Sequence, residues 1–173
     1  MEVTARSADL LVYAMGNEGD RVLPRLERGS RAFAVLDGGR VVAYGWLATG
    51  PEWIGELEVE FTPAAGEAYI WNCLTLPEHR RRGHYRALLE GIVAQARQEG
   101  LARTWIGSIE DPAEKADADA GFSPVLHFEV TKVLGLRMLR VGQARGADPA
   151  LVLAARERMS PWRAVGRTRT RVH

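Results

Sequence analysis

The sequence predicts a mixed α/β fold of the α+β kind, with a central, mostly antiparallel sheet flanked by helices. Three features carry that prediction. Residues 31–50 set two apolar β-type runs on either side of Asp37-Gly38-Gly39, a hairpin signal because such residues tolerate the positive φ of a tight turn. Residues 68–76, AYIWNCLTL, are largely apolar at both alternations, as a strand covered on both faces requires. A long helix then follows almost at once. Tyr85, Leu88, Leu89, Ile92, Val93 and Ala96 form one continuous stripe at helical spacing, Arg86, Glu90 and Arg97 lie opposite, and Gly100 closes it.

The other elements follow in chain order. ADLLVYAM (8–15) reads as a short first strand. Residues 17–29 space Val22, Leu23 and Leu26 as a helix ending at Gly29, which Pro24 divides into two short turns. GELEVEF (55–61) alternates, with Leu57, Val59 and Phe61 on one face and Glu56, Glu58 and Glu60 on the other, and predicts a strand. TPAAGE (62–67) is a turn, and ARTWIGSI (102–109) is a further strand. Asp111 and Pro112 suit the N-cap and first position of a short helix that stops at Gly121. PVLHFEVTKVL (124–134) and LRMLRV (136–141) alternate and pair around Gly135. Residues 142–173 form an extension with one capped helix at 148–159 and a poorly ordered basic tail, so the main domain is expected at 1–141.

At 173 residues the chain suffices for one well-buried domain. Its formal charge of +1 provides no general field for polyanions. Residues 156–173 hold six arginines against Glu157 alone, a net of +5, which leaves the preceding body at −4. Cys73 is the only cysteine, so an intrachain disulfide is excluded, and a reducing, cytoplasmic setting is expected. The N-terminus lacks the basic and apolar regions of a signal peptide, and no apolar run reaches the ~18 residues of a membrane span.

The stretch LPEHRRRGHYRALLEGI (76–92) carries the chemistry. Three arginines invite a nucleic-acid reading, but they sit at one strand-to-helix junction in a body of negative charge rather than across a face. A solvated charge run is the plainer alternative. A phosphate site has the better geometry: Gly83 lets the backbone turn sharply, and the free N–H groups of the first helical turn stand at the positive end of the helix dipole.

TLPEHRRRGHYRALL resembles the acyl-CoA signature of the GNAT superfamily of N-acetyltransferases, with Thr75, Pro77, Arg80 and Gly83 at the motif positions. The hairpin upstream and a short helix ending in Ala120-Gly121-Phe122 downstream match as well, so the resemblance covers roughly 8–141 in element order. It implies a single GNAT-like domain whose sheet splays between its fourth and fifth strands. It also implies acetyl-CoA, or another acyl-CoA, as co-substrate and no metal. The loop residues Arg80, Arg81, Arg82, Gly83, His84, Tyr85 and Arg86 would hold the pyrophosphate, mainly through the amides from Arg82 onward. Cys73, Leu74 and Thr75 would pair with the pantetheine like an added strand. Tyr85 stands where the family has glycine or alanine; its side chain either packs into the core or narrows the loop mouth.

The implied reaction is transfer of an acetyl group to an amine by direct attack. An alkyl ammonium has a pKa near ~10.4, so a carboxylate must take its proton. The family's base position falls on Tyr69, with Glu67 two residues earlier on the same face, and Glu67 is the favoured base. Glu56, Glu58 and Glu60 offer a second acidic face. The amide of Leu74 is the expected oxyanion donor. The family's general acid, a tyrosine, is replaced by Asp117, expected at the surface; Tyr69, Tyr85 or solvent would then protonate the thiolate. Trp46 and Trp71, with Trp53, line the acceptor side in this family, although core packing is the simpler role. Cys73 is expected as a small filler rather than a nucleophile. The implied partner is a small-molecule or peptide amine, with no membrane or nucleic acid, and a homodimer stays open. Two rivals remain: an inactive acyl-CoA sensor of the same fold, and a nucleic-acid module using the Arg-rich tail.

Overall fold

The structure is a computed structural model that describes residues 1–108, 111–133 and 136–161. These form two compact units, residues 1–51 with 63–124, and residues 52–62 with the described chain from 125 onward.

The first unit is built on a five-stranded sheet. Its strands are β1 (Glu2–Val3), β2 (Arg31–Asp37), β3 (Arg40–Ala48), β6 (Glu67–Thr75) and β7 (Arg103–Ile106), and they stand in that order. β2 and β3 form the expected hairpin, with Asp37 opposite Arg40 and both turn glycines at positive φ. β6 is antiparallel to β3 and parallel to β7, and it lies inside the sheet as its apolar composition requires. β7 pairs only with Glu67–Ile70, so beyond Ile70 the fourth and fifth strands part and residues 71–75 keep an open backbone edge on that side.

Helices cover both faces. On one, α1 (Ala8–Met15) and α2 (Val22–Glu27) bury Leu11, Met15 and Val22 against Val41, Tyr44 and Trp46. On the other, α3 (His84–Gln98) sets Leu88, Leu89 and Ile92 on Phe33, Ala43, Leu47 and Ile70. Full burial of each such aliphatic side chain contributes about 1.5–3 kcal/mol. α4 (Asp111–Asp119) completes this unit and stops before Gly121, at φ 92°. The cap expected from Asp111 lies outside the described side chains.

Where β6 crosses β3 there is a bulge: Asn72 and Cys73 together oppose Gly45, and Asn72 takes the left-handed φ of 46°. A Cβ on Gly45 would lie 2.6 Å from Cys73 Sγ and 3.2 Å from a Leu88 methyl. Glycine is therefore what lets the bulged strand and α3 pack on β3.

In the second unit, β4 (Glu52–Ile54) and β10 (Met159–Pro161) flank β5 (Val59–Phe61) in a small antiparallel sheet. β8 (Leu126–Val133) and β9 (Leu136–Gln143) pair with each other. Helix α5 (Pro149–Arg158) has the expected cap, Asp148 Oδ1 accepting from the Ala150 amide at 2.8 Å.

Two expectations are corrected. Residues 8–15 are helical: Ala8, Leu11 and Met15 share a buried face while Tyr13 is 89% exposed, a spacing of three and four that a strand does not use. The strand expected over 55–61 survives only at 59–61. A turn closed by the Leu57 amide on Ile54 O, with Glu58 at φ 52°, cuts the alternation and removes the shared face of Glu56, Glu58 and Glu60. β8 and β9 pair as expected and make a two-stranded sheet of their own. The turn expected around Gly135 and the expected basic tail from 162, with the nucleic-acid reading resting on it, lie outside the described residues.

Candidate active site

The end of β6 and the start of α3 are joined by one 3-10 turn, Pro77–His79, and a tight turn with Arg81 at φ 60° and Gly83 at φ 79°. The Ala87 amide donates to Gly83 O at 3.0 Å, so the amides of His84, Tyr85 and Arg86 precede the first closed helical turn. A Cβ at Gly83 would meet nothing within 4 Å; the left-handed backbone requires the glycine, and the space before these amides is open. The Arg80 Nε donates to Thr75 O at 3.3 Å and ties the loop to the open edge of β6. Arg81 and Arg82 are exposed, and Arg86 is paired with Glu90 at 2.7 Å.

Three buried polar atoms beside this turn have no hydrogen-bond partner among the described residues: Thr75 Oγ1, His79 Nδ1 and His84 Nε2. The two imidazoles stand edge to face, 6.2 Å apart. Buried polar groups are nearly always satisfied, so orphans clustered at one loop point to a polar ligand. A pyrophosphate fits: free amides, a helix N-terminus, and groups able to donate to phosphate oxygens. Sequence reasoning placed the His84 amide on the pyrophosphate but gave neither imidazole a role; their places on either side of the arginines were the only signal.

Along the open edge, the Leu76 amide donates to Val42 O at 2.9 Å. Strand alternation then turns the Leu74 amide toward β3 as well, and leaves the amides of Cys73 and Thr75 facing the gap. The oxyanion donor expected at Leu74 is corrected accordingly. Burial pushes the Cys73 thiol up to about 12, with Asp117 adding to the shift, so it stays a neutral thiol.

Tyr85 packs into the core stripe and does not narrow the loop mouth; its hydroxyl donates to Asp117 Oδ1 at 3.0 Å. Ser108 Oγ donates to the other carboxylate oxygen. Asp117, expected at the surface, is only 5% exposed. Burial lifts its pKa above the ordinary carboxylate range against the pull of those two hydrogen bonds. The Tyr85 phenol is lifted as well, first by burial and then by Cys73 and Asp117.

A family model described as the acetyltransferase (GNAT) family matches residues 9–118, more than half of the chain. The chain belongs to the GNAT acetyltransferase family. Solved structures of the same fold include a "probable acetyltransferase", 18% identical, covering 77% of this chain and 95% of that one, TM-score 0.55. A predicted acetyltransferase from Clostridium acetobutylicum, solved with acetyl-CoA, is 13% identical over 71% and 88% of the two chains, TM-score 0.53. Aminoglycoside N-acetyltransferase AAC(6')-Iy, solved with the bisubstrate analogue CoA-S-monomethyl-acetylneamine, is 13% identical over 80% and 95%, TM-score 0.56. No curated protein matches by sequence.

In this GNAT domain Glu67 is 6% exposed and accepts at both oxygens. Arg103 Nη1 donates to Oε1 at 2.7 Å; Trp105 Nε1, at 2.9 Å, and the Ala64 amide, at 3.2 Å, donate to Oε2. Its register partner is Arg103, so the carboxylate joins the parallel strands at their base. Tyr69 is 6% exposed, and its hydroxyl reaches Gly107, just past the end of β7, where a Cβ would sit 2.9 Å from it.

The bulge brings together residues the sequence left apart. Glu18 Oε1 accepts from Arg21 Nη1 at 3.2 Å, and Glu18 Oε2 accepts from Arg25 Nη2 and from Asn72 Nδ2, both at 3.4 Å. The Arg25 guanidinium lies over Trp46, 5.2 Å from the ring centre, and over Trp71, at 4.7 Å. Trp46 is fully buried, and the two indoles pack at 5.8 Å. Trp53, in the second unit, is 47% exposed. Sequence reasoning missed Glu18; the signal available was its spacing of three and seven to Arg21 and Arg25 in a segment read as helical. Among the described residues no group of three His, Cys, Asp or Glu side chains could hold a metal, and no helix is long and apolar enough to cross a membrane.

Proposed function

We propose that the protein is an N-acyltransferase that passes an acetyl group from acetyl-CoA to an amine by direct attack in a ternary complex. One observation carries the reading: an unpaired stretch of β6 runs straight into a turn with free amides and three orphaned polar groups. The amides from Arg82 to Arg86, with Thr75, His79 and His84, would hold the pyrophosphate. The open amides of Cys73 and Thr75 would take the pantetheine and the carbonyl oxygen of the thioester.

The acceptor must lose a proton to attack. Glu67 is the expected base, but it is only 6% exposed, held at the base of the parallel strands by Arg103, Trp105 and the Ala64 amide. Glu18, half-exposed beside the bulge, is the better base, acting directly or through water. The amine nitrogen bonds to the acyl carbon, the carbon–sulfur bond breaks, and the sulfur leaves with its electron pair. Tyr69, at the point where the strands part, or solvent returns a proton to that thiolate. Tyr85 is a poorer acid, since its phenol is lifted and already donates to Asp117.

Mixing the protein with acetyl-CoA and a panel of amines, and following free thiol, tests this. Turnover on an amine that Glu18→Gln lowers about 100-fold, with CoA binding by calorimetry unchanged, is the expected result. CoA binding without turnover on any amine would favour the sensor reading instead.

A further inference from the structure

The cluster around Arg25 says more about the acceptor than the acyltransferase reading requires. Arg25 is 8% exposed and is held by Glu18 through Nη2; its Nη1 is buried and has no hydrogen-bond partner among the described residues. The indole N–H groups of Trp46 and Trp71, the two rings beneath that guanidinium, are also buried and unpartnered. A buried donor left without an acceptor is costly, and three sit on one cluster. All three are donors. The charge leans the same way: Arg21 flanks Arg25, and Glu18 is shared between the two guanidiniums. After burial, Arg21 and Arg28 are what lower the Arg25 pKa, against the opposing effect of Glu18.

We infer that the acceptor carries a carboxylate beside its amine, the carboxylate lying on Arg25 and the indole N–H groups of Trp46 and Trp71, and the amine on Glu18. This rests on the acyltransferase reading and deepens it. Glu18 and Arg25 are hydrogen-bonded to each other, so an amine and a carboxylate separated by one or two carbons span the pair, as in an α-amino acid. An aminoglycoside, with several ammonium groups, would set them beside the Arg21 and Arg25 guanidiniums and is disfavoured here, although one structural neighbour was solved with an acetylneamine analogue.

The test uses acetyl-CoA with matched acceptors, each amino acid against its decarboxylated amine, and neamine, with thiol release followed. The expected result is at least a tenfold higher kcat/KM for the carboxylate-bearing partner, about 1.4 kcal/mol, and little or no turnover of neamine. Arg25→Gln should lose that preference through KM, with CoA affinity by calorimetry unchanged. If that variant fails to fold, Trp71→Phe, which keeps a ring and deletes one N–H, should reduce the preference several-fold. Equal use of both partners, efficient use of neamine, or a preference that survives in the folded variants would overturn the inference.

If no amine is turned over, tryptophan fluorescence reads the site independently of the reaction. In the presence of CoA, N-acetyl amino acids should change the signal and their carboxamides should not. An equal response, or none, would overturn the carboxylate site whatever becomes of the activity.

Discussion

At Gly83 the backbone conformation and the proposed ligand site meet in one residue. Its φ of 79° costs an L-residue about 1–2 kcal/mol, yet a Cβ there would touch nothing within 4 Å. Gly83→Ala should therefore fold, melt a few degrees lower and still bind CoA. Gly83→Glu, which brings a carboxylate to the free amides, should weaken CoA binding more than tenfold, about 1.4 kcal/mol. Calorimetry beside thermal melts separates the two effects; equal CoA affinity in both variants would remove the pyrophosphate from this turn.

Asp117 gives a second residue-scale prediction, in pH. Burial raises its folded pKa above the ordinary value near ~3.9, so the folded chain holds its proton to a higher pH than the unfolded chain does. The stability it contributes is then complete below the unfolded pKa and is lost as pH rises through the folded one. Urea midpoints of the wild type and Asp117→Asn across that window should show the difference, wild type minus variant, falling as pH rises and level above it. A difference that rises with pH would mean that the hydrogen bonds from Tyr85 and Ser108 outweigh burial.

At the scale of elements, α3 fastens the cofactor turn to the sheet through its buried stripe. Leu89 is fully buried between the strands and the helix, so Leu89→Ala should cost about 2–5 kcal/mol in chemical denaturation. Leu153, on α5 and 60% exposed, is the control; its replacement by alanine should stay within ±0.5 kcal/mol. The α3 stripe was legible in the sequence because six apolar positions repeat over four turns. The first helix was not, because ADLLVYAM is apolar enough to satisfy either period and only tertiary burial of Leu11 and Met15 decides between them. GELEVEF misled for a related reason: strict alternation continued through residues 55–58, where the backbone turns. The turn at Gly83 was readable from local spacing, whereas the pairing of Glu18 with Asn72, 54 positions apart, exists only once α1, α2 and the bulge are assembled.

Across the whole molecule, charge separates what would attract CoA to the proposed site from what would hold it there. The formal net charge is only +1, so attraction for a polyphosphate depends on local arginines rather than on a global field. Arg81 and Arg82 are exposed, and interactions of exposed charges decay over about 8 Å at physiological ionic strength. In the proposed site the amides after Gly83 and the buried groups at Thr75, His79 and His84 would act at contact distance and be screened far less. An Arg81→Gln, Arg82→Gln double variant should therefore bind CoA several-fold more weakly at low salt and converge on the wild type near 0.5 M salt, where the Debye length is only about 4 Å. The Gly83→Glu defect should persist across the same range. Calorimetric titrations at three salt concentrations check this. A deficit in the double variant that does not shrink with salt would show that these arginines grip the phosphates directly, and the balance between side chains and backbone at this site would have to be reversed.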